Sequence, residues 1–159
     1  MSISINVQTQ DFSVGKQHDA LCSNNKSDGA VVTFTGLVRE FSSGDNVIGL
    51  ELEHYPGMTE QLLQSIAEQA QTRWQLARIS IIHRVGYLAL GEQIVFVGVT
   101  SRHRQAAFEG AQFIMDYLKN HATFWKKEHF KDSSNWVEFK QSDKQALDKW
   151  QSIEQDAIK

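Results

Sequence analysis

The sequence predicts an α+β fold: a single domain in which helices pack on a mostly antiparallel or mixed sheet. Three observations carry that expectation. Segments alternating with period two (47–55 and 77–83) are interspersed with segments whose apolar residues recur at helical spacing (59–74 and 103–120). A continuously apolar stretch over 93–100 has the composition of a strand covered on both faces. The strand and helix segments follow one another irregularly, and only some of the connections suit parallel crossovers, which argues against a regularly alternating α/β sheet.

Taken in order, residues 30–35 read as a strand from their β-branched and aromatic content. A Gly-, Ser-, Asp- and Asn-rich loop follows over 36–46. In 47–55, Ile48, Leu50 and Leu52 fall on one face and Glu51 and Glu53 on the other, the pattern of a half-buried strand. Pro56-Gly57 turns the chain, because proline presets φ and glycine tolerates positive φ. Thr59 is placed to cap a helix with Glu60 in its first turn and Leu62, Leu63, Ile66, Ala70 and Trp74 on its inner side. Residues 77–83 form another alternating strand, and 93–100 the buried one. The helix over 103–120 turns Ala107, Ala111, Ile114, Met115 and Leu118 to the core. Strands over 123–129 and 136–139 and a short helix over 143–150 complete the set.

The chain has 159 residues, one cysteine and a net charge of −3. That length fits one domain, here residues 1–150, followed by a charged tail over 151–159. An acidic chain lacks the global positive field that holds nucleic acid, so RNA binding is not expected. Cys22, in a polar, loop-like stretch, excludes an internal disulfide and fits a reducing compartment. The N-terminus shows neither the basic nor the apolar region of a secretory signal, and no apolar run is long enough to span a bilayer. A cytoplasmic location is expected.

The six histidines show no metal-ligand spacing. His54 and His83 continue the apolar faces of their strands and read as hydrogen-bonded histidines at core strand ends. Ser101 lacks a nucleophile elbow, and no phosphate-binding glycine loop is present. What remains is a concentration of cations: Arg102, His103, Arg104, Lys119, Lys126 and Lys127, spread along one apolar helix and the strand after it. His103 and Arg104 mark a helix start, where free N–H groups and the positive dipole end favour an anion. Lys119 lies in the last turn, where the ordinary role of a lysine is a solvated cap. Alternation puts Lys126 and Glu128 on one strand face and Trp125 and Lys127 on the other. If Lys126 converges on Lys119, mutual repulsion and partial burial would favour a neutral, nucleophilic amine. Arg39, in the loop after the first strand, is placed to close over a bound anion.

Helix length adds a constraint. Arg104 and Lys119 are separated by about 22 Å along a continuous helix at ~1.5 Å per residue. A two-fold dimer in which one protomer's helix start meets its partner's helix end would give two equivalent shared sites.

At these residues the sequence resembles a known family. Val31-Val-Thr-Phe-Thr-Gly-Leu-Val-Arg39, Leu52-Glu-His-Tyr-Pro-Gly-Met-Thr59, Ile94-Val-Phe-Val-Gly-Val-Thr-Ser101, His103-Arg104, Phe113-Ile-Met-Asp-Tyr-Leu-Lys119 and Phe124-Trp-Lys-Lys-Glu128 resemble the large, catalytic subunit of molybdopterin synthase, in register over residues 4–150. The resemblance implies a hammerhead-like α/β fold and a sulfurtransferase of molybdenum cofactor biosynthesis. Cyclic pyranopterin monophosphate would be converted to molybdopterin by insertion of two dithiolene sulfurs. The sulfur would arrive on the C-terminal Gly-Gly thiocarboxylate of a small ubiquitin-like subunit, in a heterotetramer built on a homodimer, with no bound metal or organic cofactor.

By position, the resemblance implies that Lys119 is catalytic, as acid–base or as nucleophile, with Lys126 its basic companion. Leu37, Val38, Arg39, His103, Arg104, Lys119, Lys126, Lys127 and Glu128 would bind substrate, and Phe34 and Met115 would flank the pocket. Where the family carries an arginine near the Trp-Val-Glu segment, this chain has Lys140, which keeps the charge and loses the bidentate fork. The rival reading from the residues is a non-catalytic basic-pocket module that binds a phosphorylated ligand or a partner's tail.

Overall fold

The computed structural model describes residues 1–40, 46–121, 124–131, 133–137 and 144–151. Among them the α+β expectation holds, with the strands divided between two four-stranded sheets. The larger sheet has the order β1 (Ser2–Gln8), β4 (Arg78–Arg84), β6 (Gln93–Ser101), β2 (Ala30–Leu37). In it β1 runs parallel to β4, and the other pairs are antiparallel. The smaller sheet is antiparallel throughout, in the order β5 (Gly86–Ala89), β3 (Val47–His54), β7 (Phe124–Phe130), β8 (Ser134–Trp136).

Helices cover both faces of the larger sheet. Ile79, Ile81, Val95, Val97 and Val99 pack with α2 (Met58–Trp74) and α3 (Arg104–His121) in the main core. On the opposite face Ile82 and Phe96 pack with Phe12 and with Leu21 of α1 (Val14–Cys22). Sequence alternation therefore understates β4: every residue from Ile79 to Arg84 is buried, because an interior strand between two helical layers has no solvent side. The β1 strand, with Ile3, Ile5 and Val7 against the main core, was not read from the sequence. Nor was α1, which buries only Leu21 and starts with the Ser13 hydroxyl accepting the Lys16 N–H. Cys22 is the last residue of that helix rather than part of a loop, and it is exposed.

Two local expectations are corrected. The α2 helix begins at Met58, after Gly57 at φ +83°, and the Gly57 N–H donates to Glu60 Oε2 at 2.6 Å. Thr59 is therefore inside the helix, fully buried, its hydroxyl accepting the Tyr55 N–H at 3.1 Å. On β3, a register shift between Val47 and Gly49 places Val47 in the core and leaves Ile48 exposed, which breaks the alternation Ile48 was expected to share with Leu50 and Leu52.

A fourth helix, α4, over residues 144–151 docks on the main core through Leu147 and Trp150. The Trp150 indole N–H donates to Asp116 Oδ2 at 2.6 Å, and its ring meets Trp74 and Phe113 edge-on at 5.5 and 5.7 Å. Residues 41–45, Lys140, the expected strand end at 138–139 and residues 152–159 of the tail lie outside the described residues. The two sheets meet through Ile94 and Phe124, which pack against both the main core and the cluster of Val38, Leu50, Leu52 and Leu88.

Candidate functional site

The strand β7 separates the basic residues it carries. Paired antiparallel to β3, it sets Lys126 opposite Leu52 and Glu128 opposite Leu50. Residues directly opposite share a sheet face. Both leucines are buried, so Lys126 and Glu128, each half-buried, rise from the face formed with Val38 and Leu88. Lys127 pairs with Glu51 on the other face, and its ammonium lies 5.0 Å over the Trp136 ring. Its side chain points away from Lys126.

The segment Leu37–Arg39 reaches the same place. Val38 is buried in that cluster, its N–H donating to the Glu92 carbonyl at 2.9 Å and its own carbonyl accepting the Gly91 N–H at 2.7 Å. With Val38 anchored on both sides, Leu37 and Arg39 are left exposed beside it. Lys119 lies in the last turn of α3, which ends at His121, and β7 begins at Phe124. Asn120 steadies that turn by donating to the Asp116 carbonyl at 2.7 Å. Lys119 itself is exposed, so within one chain the partial burial expected of it is not supplied.

Beneath Lys126 lies a group whose environment is unusual. His83, at the end of β4, is 4 % exposed and stacks on Phe124 with ring centroids 3.8 Å apart and planes at 19°. Its Nδ1 is 2.8 Å from the Arg84 carbonyl oxygen. Burial drives the imidazole pKa down to about 3 against the pull of that carbonyl, and the charges of Lys126 and His54 push the same way as burial. His54, opposite Phe124 on β3, has its Nε2 3.7 Å from Glu60 Oε1. The expectation that His54 and His83 are histidines at core strand ends fits both placements.

The remaining candidates lie elsewhere. His103 and Arg104, both exposed, occupy the start of α3, where the His103 carbonyl accepts the Ala107 N–H at 3.3 Å. No acidic side chain occupies the first turn, and the positive dipole end is open to an anion. The α3 helix is continuous from Arg104 to His121, so the ~22 Å between its ends stands and one chain does not bring Arg104 to Lys119. Phe34 is 43 % exposed on β2, at the edge of the larger sheet. Met115 sits inside the main core beside Ile114 and Leu118. Arg102 is a surface charge.

Lys126 and Glu128 thus share a strand face with a small apolar cluster that includes Val38, the neighbour of Arg39, and Lys119 precedes by five residues Phe124, which packs against the same cluster. A cation held on a rigid strand is suited to an anionic ligand and to stabilising an oxyanion. Among the described residues no group of three His, Cys, Asp or Glu side chains could hold a metal ion. Sequence reasoning missed Phe124 and His83 as supports of this face. The signal for Phe124 was present in the alternation Phe124, Lys126, Glu128, but the partner strand that gives it meaning is 78 positions distant at Glu51–His129.

Comparison with known proteins gives four results. A family described as MoaE protein matches residues 7–121. The molybdopterin synthase catalytic subunit of Vibrio cholerae serotype O1 is 52 % identical over 151 residues, which cover 95 % of this chain and all of that protein. Among solved structures, the molybdopterin biosynthesis MoaE protein from Burkholderia ambifaria superposes with a TM-score of 0.80 at 43 % identity, covering 94 % of this chain and 98 % of that one. A second structure, the complex of subunits 1 and 2 of molybdopterin-converting factor from Helicobacter pylori, has a TM-score of 0.70. At 19 % identity, with 86 % of this chain and 90 % of that one covered, its likeness speaks for the fold alone.

Proposed function

The chain belongs to the MoaE family, and from that premise we propose that it is the catalytic subunit of molybdopterin synthase. In this reading it converts cyclic pyranopterin monophosphate to molybdopterin, with two dithiolene sulfurs delivered by the thiocarboxylated C-terminal Gly-Gly of a small ubiquitin-like subunit. What supports it is the placing of Lys126 on the strand face of an apolar cluster, with Arg39 next to the cluster's Val38 and Lys119 at the end of the helix that precedes the strand, in an acidic chain.

The chemistry calls for such residues. The substrate carries an anionic phosphate, and release of sulfur from the carrier passes through an oxyanionic carbonyl adduct that fixed cations stabilise. Lys126, on the strand, is the positioned charge. Lys119, exposed in the last turn of α3, is the reactive amine, as acid–base toward the attacking group or as nucleophile at the thiocarboxylate carbonyl. Glu128 and the backbone of Lys127 border the pocket, and Leu37 and Val38 offer it their main chain. His103 and Arg104 act from the partner protomer of a homodimer, inside a heterotetramer with two small subunits, because the length of α3 keeps them from Lys119 within one chain. No helix among the described residues is long and apolar enough to cross a membrane. The reaction is assigned to the cytoplasm.

The test is reconstitution. The chain with thiocarboxylated small subunit and cyclic pyranopterin monophosphate should yield the dithiolene product. Lys119→Ala should abolish the product while the variant still binds the small subunit. Binding without turnover by the unmutated chain would leave the non-catalytic basic-pocket module instead.

A further inference from the structure

His83 is a buried titratable side chain to which the sulfur-transfer chemistry assigns no role. Its Nδ1 lies 2.8 Å from the Arg84 carbonyl, which only accepts, so Nδ1 carries the hydrogen and Nε2 keeps the lone pair. The ring is clamped face to face on Phe124. Two residues further along the same strand face, about 6.6 Å at ~3.3 Å per residue, stands Lys126.

The surroundings leave Lys126 and His54 as the charges felt by the imidazole. His54 comes from β3 and is matched by Glu60 of α2 at 3.7 Å. On β4 itself, Arg84 is held by the Thr9 and Gln93 carbonyls. Glu128 is two further residues along β7, opposite Leu50.

We propose that His83 is a positioning residue for Lys126: its stacking on Phe124 fixes the inner face of β7, and its neutral imidazole supplies the lysine with a hydrogen-bond acceptor that carries no charge. The physical advantage follows from what else could stand there. A carboxylate would pair with the ammonium and cancel the charge that the anionic substrate needs. An aliphatic side chain would desolvate the amine and favour its neutral form. A neutral imidazole does neither, and its depressed pKa keeps it neutral across the physiological range. The proposal rests on the reading that Lys126 belongs to the sulfur-transfer site.

The experiment compares His83→Phe, which keeps the stack and removes both nitrogens, with His83→Gln, whose amide reaches the position of Nε2. The Lys126 amine is titrated by NMR in side-chain-labelled protein. His83→Phe should lower that titration by about one pH unit, and His83→Gln should leave most of it in place. In the reconstituted complex His83→Phe should lower kcat about tenfold with KM within about twofold, and should add little in a Lys126→Ala background. A Lys126 titration unmoved in folded His83→Phe would overturn the proposal, as would full additivity with Lys126→Ala. If His83→Phe does not fold, loss of the Lys126 titration in His83→Gln overturns it equally. Full turnover by Lys126→Ala would instead remove Lys126 from the site, while the titration still decides whether His83 holds it.

Discussion

Acidification should destabilise this fold through His83 in a window where most carboxylates are still ionised. Burial holds the folded-state pKa near 3, against 6.5 in the unfolded chain. The unfolded state therefore binds more protons between those values, and unfolding free energy falls as pH is lowered through 6.5 toward 3. At pH 5 the unfolded imidazole is protonated about thirtyfold over, while the folded one remains neutral, which costs about 2 kcal/mol of stability. At pH 7 the same linkage costs only about 0.2 kcal/mol, so His83 accounts for about 1.9 kcal/mol between the two. The figure is set by the unfolded pKa, because any folded value well below 5 gives the same result.

Urea unfolding of the unmutated chain and of His83→Gln, at pH 7 and pH 5 and one protein concentration, isolates this effect. The substitution has its own cost at both pH values, and the difference of differences removes it. The unmutated chain should lose about 1.9 kcal/mol more than His83→Gln on going from pH 7 to pH 5. Parallel losses in the two proteins would refute the reasoning, since they would mean that His83 is protonated in the folded state as readily as in the unfolded.

Two further outcomes are expected. Trp150→Phe keeps an aromatic ring against Trp74 and Phe113 but removes the indole N–H from Asp116 Oδ2, leaving that carboxylate with the Gln112 amide at Oδ1. It should cost about 1–3 kcal/mol in urea unfolding, and a loss below about 0.5 kcal/mol would show that the bond is replaced by water. Mixing inactive Arg104→Ala and Lys119→Ala proteins should restore up to about a quarter of the activity through hybrid dimers carrying one intact shared site. No recovery after verified subunit exchange would place both residues in one chain's site.

Much of the fold was legible where a single periodicity dominates. The α3 helix, with Ala107, Ala111, Ile114, Met115 and Leu118 all buried, and β6, apolar from Ile94 to Val99, follow from patterns that any partner would satisfy. Failures came where the partner decides. The β4 strand alternates in sequence yet is buried on both faces, because α1 covers the side that the sequence leaves open. The α1 helix was invisible because one buried leucine is too little periodic signal. The bulge at Val47–Gly49 reversed Ile48, since register depends on the opposing strand.

For the site, the sequence by itself determined which cations exist, that Lys126 and Lys127 face opposite ways, and that α3 is long enough to hold Arg104 away from Lys119. Those are local properties, fixed by residue type, by period and by rise per residue. Only the tertiary structure decided which side of β7 is inner, that Val38 anchors Arg39 beside it, and that His83 lies under Phe124. Each of these depends on contacts between residues distant in the chain. The burial and charge that hold His83 neutral arise only when two sheets close on it, and no local pattern encodes that closure.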